Sequence, residues 1–599
     1  MRLVLSVYET QNIANVKQIN MSKKVAEQLV EMLIQAGIKR IYAITGDSLN
    51  ELNDAVRKTP ELKWIHVRNE EAGAFAASAD AQLSGLACCA GSSGPGHVHL
   101  VNGLYDAHRS GAPVLAIAST CATKEFGSNY FQETNVIKLF DDCSYYNQVA
   151  ANNKQVPRMT QAAIQTAIQR KGVGVLGFPG DVAGEDAVEI DSSVNNFFCK
   201  ANITPVWEEL VKLADLINRH PKVCIFGGIG CADAHDEVVE LAALIKAPVG
   251  YSFRGKMFLE HDNPYEVGMT GLLGLPAAYH SMHESDLVIL LGTDFPYTPF
   301  YPQDKKIVQI DIKPENLGRR AKLTMGLYGD IKSTVKALIP LIKEKDDRSF
   351  LDAQLHVHAK VKEQQQAYIQ DYGKHDAIHP EALAAIVNEN ASDDAIFTCD
   401  TGMCNVWSAR HISANGRRSM IGSFVHGSMA NAMPHAIGAA LACPERQVVA
   451  MCGDGGISML LGDLATIKQY NLPIKIIVFN NRALGMVKLE MEVMGLPDFE
   501  VDMHNPDFTM VAESMGIKGI TINDPQDLEL GIAEAFAHTG PVLVNVYTDG
   551  TALAMPPHIE LKMVKGMAVS MTKMMLGGKF DEVLATVKGN YKPLPEIFD

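Results

Sequence analysis

Two short runs carry the residue types best suited to chemistry: Gly453-Asp454-Gly455-Gly456 and Asn480-Asn481. Glycines let the backbone come close to a phosphate, while Asp454 offers a hard carboxylate oxygen. Asn481 follows Asp454 by 27 residues, a distance that suits a crossover from one strand to its parallel neighbour. Two side-chain oxygens joined by diphosphate oxygens suit octahedral Mg2+. By itself a GDG triplet is a common turn. Here QVVAMC precedes it as a buried strand, ISMLLGDLATIKQY reads as a helix, and PIKIIVFNN reads as a second buried strand. Both motif ends therefore fall at the carboxyl edges of strands, where Asp454 and Asn481 would face one crevice. A second acidic group, Arg68-Asn69-Glu70-Glu71, stands between the strand-like WIHV and the small-residue helix AGAFAASADA. Acidic residues there favour a helix N-terminus, whatever else they do.

Alternating strands and helices must position these groups. From residue 23 to 191 the apolar runs RIYAIT, WIHV, ACCAGS, PVLAIAS and VGVLGFPG alternate with helical periods, the pattern of a doubly wound parallel sheet. The period lapses over 191–202, read as a linker. A second α/β domain spans 204–340 and holds KVCIFGGIG, LVILLGTDFPY and KIVQIDIKPENLG. Its strand, glycine turn and helix imitate a dinucleotide motif, although GGIGCA lacks the full G-x-G-x-x-G spacing. Arg254 and Lys256 carry charge suited to a diphosphate. Asp311, at a strand end, is placed either to accept ribose or adenine hydrogen bonds or to cap the turn after it. Gln-rich residues 348–374 read as an exposed helical connector, and a third α/β domain over 379–548 contains the GDG run. Beyond residue 551 the alternation stops. Met563, Met567, Met571 and Met574 form a stripe, and Phe580, Val583, Leu584, Val587 and Tyr591 recur at helical spacing beside Lys579 and Lys588. The expected fold class is α/β: three doubly wound parallel-sheet domains and a C-terminal helical tail over 551–599.

Composition narrows the partners. At 599 residues the chain has material for three or four domains, and 47% hydrophobic with 20% charged residues is ordinary for a globular protein. Fifty-three basic against 69 acidic residues give a formal charge of −16, which argues against nucleic acid as a partner. Eleven scattered cysteines without a C-x-x-C pair suit reduced thiols in the cytoplasm. LVLSVY is too short for a signal-peptide core, and no run reaches the roughly 18 apolar residues of a spanning helix. Residues 1–22 read as an N-terminal extension, since the first amphipathic helix, VAEQLVEMLIQAG, begins after Lys24.

From GDG to NN the chain resembles the thiamine diphosphate fingerprint. From Lys23 onward it resembles thiamine diphosphate-dependent pyruvate oxidases through GSSGPGHVHLVNGLYDAHRSGAPVLAI and Tyr130-Phe131-Gln132-Glu133, and their quinone-linked pyruvate dehydrogenase branch through GMTGLLG and the tail. The resemblance implies pyrimidine-binding, FAD-binding and diphosphate-binding domains in that order. It implies Mg2+ held by Asp454, Asn481 and the main-chain carbonyl of Ala483. Glu70 would bond N1′ of the aminopyrimidine and favour the tautomer that takes the C2 proton. Met429, flanked by Gly427 and Ser428, would wedge beneath the cofactor, with Gly455, Gly456, Arg482, Leu484, Gly485, Met486 and Val487 around it. Phe131 and Gln132 would lie over the substrate. FAD would contact Arg254, Lys256, Thr270, Gly271, Leu272, Leu273, Thr293, Asp294, Phe295, Pro296, Tyr297 and Asp311. Two departures stand out: Asn69 replaces a His beside the acidic pair, and Met486 replaces a Phe linked to electron transfer.

The activity implied is oxidative decarboxylation of pyruvate to acetate and CO2 through hydroxyethyl-thiamine diphosphate, with electrons passing by FAD to a membrane quinone. The family builds its active site between subunits, so a homodimer at least, and a tetramer by analogy, is implied. The tail is either a helix docked on its own protein or a lipid-binding helix that makes the protein peripheral on the inner face of the cell membrane. Rival readings are a phosphate-using pyruvate oxidase, an acetolactate synthase, and a non-catalytic binding relative, against which the joint presence of Glu70, Asp454 and Asn481 speaks.

Overall fold

The computed structural model describes residues 22–188, 198–199, 201–370, 372–374, 376–552, 554, 561–576 and 586. The expected extension over 1–22 apart from Ser22, most of the 191–202 linker, and the tail positions Phe580, Val583, Leu584, Val587 and Tyr591 lie outside these residues. The chain forms two compact units, Met1–Phe198 and Cys199–Asp599, the second containing two sheets.

In the first unit a six-stranded parallel sheet comprises β1 (Arg40–Ala43), β2 (Lys63–His66), β3 (Ala87–Gly91), β4 (Val114–Thr120), β5 (Tyr146–Val149) and β6 (Val173–Pro179). Their order is β2-β1-β3-β4-β6-β5. VLAIAST and VGVLGFP are buried at every position, as expected for central parallel strands covered on both faces. The half-polar edge strand β5, YNQV, carries no such apolar run and escapes a search for one.

The second unit opens with β7 (Val223–Gly227), β8 (Val249–Tyr251), β9 (Glu266–Met269), β10 (Leu287–Leu291), β11 (Lys306–Asp311) and β12 (Met325–Tyr328). Counted from β9, the order β9-β8-β7-β10-β11-β12 is the 3-2-1-4-5-6 arrangement of dinucleotide-binding sheets, with its switch point between β7 and β10. The third sheet holds β13 (Ile396–Cys399), β14 (Ser419–Gly422), β15 (Val448–Gly453), β16 (Ile474–Asn480), β17 (Lys518–Ile522) and β18 (Val542–Tyr547). Its order, β14-β13-β15-β16-β18-β17, repeats that of the first sheet and reverses direction between β13 and β15. All three sheets are parallel throughout, so the expected fold class is the one observed.

Three details differ from the sequence reading. The helix expected over ISMLLGDLATIKQY is broken into Asp454–Met459, a 3-10 turn Leu461–Asp463, and Leu464–Gln469. Gly462 weakens it, and buried Asp463 accepts from the Thr466 hydroxyl at 2.8 Å, restarting the second piece. The connector helix Ser349–Ile369 is not exposed all round: Leu351, Gln354, His358 and Val361 are buried. The methionine-rich tail forms a helix, Leu561–Leu576, packed on the helix Gly485–Val493. Gly566 makes this approach possible, because a Cβ there would run into the Val493 carbonyl. Ser570 and Lys573 secure the contact by donating to the carbonyls of Leu496 and Gly495, each at 2.8 Å.

Candidate active site

In the third sheet the switch point between β13 and β15 receives the GDG run. Asp454 begins its helix and is buried; its Oδ1 accepts the Gly455 N–H at 2.9 Å, and its Oδ2 accepts the Asn505 side-chain amide at 2.8 Å. Burial pushes its carboxyl up, opposed by Asn505 and by the N–H groups of Gly455 and Arg482. Asn481 leaves β16 and turns its Oδ1 onto the Ala483 N–H at 3.1 Å. Between them Arg482 takes φ = +56°, uncommon for a side-chain-bearing residue, with its guanidinium over the Tyr547 ring. The Met503 N–H donates to Arg482 O and the Leu484 N–H to Val501 O, both at 2.8 Å. Ala483 opposes Asp502 in that antiparallel bridge, so it occupies the non-hydrogen-bonded position and the pairing does not consume its carbonyl.

The floor of this site is shaped by glycine. A Cβ on Gly455 would lie 3.0 Å from both Met429 and Leu484 and 3.2 Å from Met503, and one on Gly456 would strike Asp400. One on Gly485 would lie 2.7 Å from the Asn481 amide. Gly427 at φ = +80° and Ala430 at φ = +64° bend the loop that presents Ser428 and Met429, and Ser428 N–H is tied to the Ser423 hydroxyl at 3.0 Å. Met486 is half-buried against the third sheet's core, while Val487 is exposed. Asp400, at the end of β13, accepts the N–H groups of Ala432 at 2.8 Å and Gly453 at 3.3 Å and so joins the Met429 loop to the GDG run. Burial raises its carboxyl to about 6. Asp400 and Asn505 escaped the sequence reading because each stands far in the chain from the motif it touches. Among the described residues no cluster of three His, Cys, Asp or Glu side chains could hold a metal. Asp454, Asn481 and Ala483 carry hard oxygen donors of the kind that Mg2+ takes, and Asp454, Gly455 and Gly456 open a helix whose N-terminus suits a diphosphate.

In the first unit Glu70 is the first residue of the helix Glu70–Ser84, and it is buried. Asn69 is its N-cap, accepting the Glu71 N–H at 2.9 Å, which gives the departure at this position a structural task. Glu70 Oε2 lies 2.9 Å from His99 Nδ1, and a Cβ on Gly96 would lie 3.2 Å from Glu70 Oε1. Gly94, at φ = +68°, packs against Gln132, whose carbonyl accepts the Ser93 hydroxyl at 3.1 Å. Glu70, the glycine turn and Gln132 are thereby gathered in one region. Phe131 is 76% exposed, so it is not a core residue of this unit. His99, held to Glu70, was missed because nothing in GPGHVHL distinguishes it from its neighbours.

The middle sheet's switch point is lined by glycine as well. Gly230 packs on Gly292, and Gly228 on Thr293. Gly271, at φ = +104°, faces the Phe295 ring, which meets Tyr297 edge to face at 5.4 Å. The buried Thr270 hydroxyl has no hydrogen-bond partner among the described residues, an acceptor or donor left for a ligand. Leu272 is exposed, and the Leu273 carbonyl accepts from Arg410 at 3.2 Å. Thr270, Gly271, Thr293, Phe295 and Tyr297 thus fit a flavin nucleotide. Other expected contacts are engaged elsewhere: Lys256 is buried against Glu260, Asp294 pairs with Arg319 and Arg320, and Asp311 accepts from the Lys313 N–H at 2.8 Å and Asn316 at 3.2 Å. Asp311 therefore does cap the following turn. Burial, then the charge of Glu490, pushes the Tyr297 phenol up.

Comparison with known proteins agrees with this geometry. Residues 23–139 match the N-terminal TPP binding domain of thiamine pyrophosphate enzymes, residues 210–338 the central domain, and residues 400–546 the C-terminal TPP binding domain. YdaP of Bacillus subtilis (strain 168), named as a thiamine pyrophosphate-containing protein, is 35% identical over 96% of this chain and 100% of its own. Pyruvate oxidase of Lactiplantibacillus plantarum is 30% identical over 89% of this chain and 90% of its own. A Methanocaldococcus jannaschii protein named as an acetolactate synthase large subunit is 30% identical over 89% and 93%. The chain belongs to the family of thiamine pyrophosphate enzymes that includes pyruvate oxidase and acetolactate synthase.

Proposed function

We propose that the protein oxidatively decarboxylates pyruvate to acetate and CO2, using thiamine diphosphate, Mg2+ and FAD and passing electrons to a membrane quinone. The observation that carries this reading is the oxygen set of Asp454, Asn481 and Ala483 at one switch point, in the same unit as a dinucleotide-ordered sheet with an unpartnered Thr270 hydroxyl. Bound thiamine diphosphate supplies an electron sink for the carbon that loses CO2, and FAD a two-electron acceptor. Asp454, Asn481 and Ala483 would hold the metal, and the start of the helix Asp454–Met459 would receive the diphosphate. Met429 and Leu484 support the cofactor from below. Glu70, desolvated at a helix N-terminus, holds a proton at N1′ of the aminopyrimidine, and His99 orients it. Phe131 and Gln132 would cover pyruvate, while water supplies the second oxygen of acetate.

The tail supports the quinone branch. Val569 and Met575 of the helix Leu561–Leu576 and Met494 and Phe499 of the segment beneath it are exposed, a surface suited to lipid contact, and no described helix is long and apolar enough to cross a membrane. A peripheral homo-oligomer on the inner membrane face follows from this reading. It is tested by supplying thiamine diphosphate, Mg2+, FAD, pyruvate and ferricyanide in phosphate-free buffer and identifying the products. Acetate and CO2 with acceptor reduction are expected. Acetyl phosphate formed only on adding phosphate would move the protein to the phosphate-using oxidases, and acetolactate without acceptor reduction to the synthases, whose named relative is as similar as the oxidase.

A further inference from the structure

The first Asn of the Asn480-Asn481 pair has no direct place at the metal, and its partners suggest why it is there. Asn480 is buried at the end of β16. Its side-chain amide donates to Asn545 Oδ1 on β18 at 3.0 Å, and its own Oδ1 accepts from Asn505 Nδ2 at 3.0 Å. The same Asn505 nitrogen donates to Asp454 Oδ2 at 2.8 Å. Asn505 Nδ2 therefore donates two ways, outward to the carboxylate and inward to Asn480, which in turn donates to Asn545 in the sheet interior. These contacts admit one orientation of the Asn505 amide. Reversing the Asn505 amide would set its oxygen against a carboxylate oxygen and against another amide oxygen. Asn545 Nδ2 is buried without a partner among the described residues.

From this geometry we infer that Asn505, held by Asn480 and Asn545, is a positioning residue for the metal ligand Asp454. Its donor fixes the rotation of the carboxylate and occupies one lone pair of Oδ2, leaving the remaining lone pairs for the cation. The segment that carries it also braces the other two ligands. Val501 and Met503 pair with the backbone on either side of Ala483, and Met503 faces Gly455. Residues 501–505 thus brace Asp454 and the backbone on either side of Ala483, and metal binding is coupled to the seating of this segment.

The inference rests on the reading of Asp454 as a metal ligand, so the test must separate the two. Mg2+ is titrated calorimetrically into protein saturated with thiamine diphosphate, for wild type, Asn505→Ala, Asn505→Asp and Asp454→Ala, with the melting temperature of each apoprotein measured in parallel. Asn505→Ala is expected to weaken Mg2+ binding about ten- to a hundredfold, and Asn505→Asp more, because an acceptor replaces the donor at the same size. Apoprotein melting temperatures should stay close to wild type, since Asn505 is only partly buried. Wild-type Mg2+ affinity in both Asn505 variants, with affinity lost in Asp454→Ala, would overturn the positioning role alone. Undiminished affinity in Asp454→Ala would overturn both the positioning role and the ligand assignment.

Discussion

Glu70 is the smallest unit at which the account makes a claim. Placing a carboxylate as the first helical residue satisfies N-terminal backbone groups, but an N-terminal role does not require burial, and Asn69 already caps the helix. Burial beside Gly96 and His99 instead presents one carboxylate to a partner in a dry setting. Glu70→Gln keeps the shape and removes the proton exchange. Turnover should fall by at least about a hundredfold while thiamine diphosphate affinity changes only a few-fold, measured by CO2 release and by cofactor titration. Near-normal turnover would remove Glu70 from the role. At this scale the sequence was informative where function is written locally. Asp454 and Asn481 announce themselves through glycine, strand ends and spacing, whereas Asp400, His99 and Asn505 acquire their tasks only when distant segments meet. Lys256 shows the converse: its charge suited a diphosphate, but folding buries it against Glu260.

At the scale of elements, buried ionic contacts join parts that periodicity alone would leave separate. Glu266 of β9 accepts from the Gly268 N–H, from His358 at 3.1 Å and from Lys362 at 2.8 Å, tying the middle sheet to the helix Ser349–Ile369. Burial works against ionisation of Glu266, yet His358 and Lys362 hold its carboxyl at about 2, against an ordinary 4.5. A lowered folded-state value means that the stabilisation is complete above pH 4.5 and is lost as pH falls toward 2. The shift corresponds to about 3 kcal/mol. Denaturant unfolding of Glu266→Gln should show lower stability at pH 7 and a shallower decline over that acid range than wild type. An unchanged acid profile would show that Glu266 does not anchor the helix. This contact is why the connector, legible as a helix from its polar period, is not exposed on all sides. The broken helix after Asp454 was illegible for a related reason: Leu460, Gly462 and Asp463 fit a helical pattern locally, and the Asp463–Thr466 contact restarts the helix instead.

Across the whole molecule, two sheets share one strand order and the sheet between them in the chain has another. The fold class was legible because central parallel strands are long apolar runs, each followed by a helix. Strand order was not, since edge strands such as β5 and β17 are half-polar, and which strands become neighbours depends on packing between distant segments. The order matters functionally because it sets the switch points: Asp454 stands at one, and Gly228 with Thr293 at another, within a single unit. The central claim is that these two crevices act in sequence on pyruvate, decarboxylation at one and electron capture at the other. Its most direct test is to mix the thiamine diphosphate, Mg2+ and FAD-loaded protein with pyruvate in the absence of oxygen and follow the flavin absorption band. The account predicts bleaching that requires pyruvate, and recovery when a quinone is added; a flavin that stays oxidised while acetolactate accumulates would contradict it.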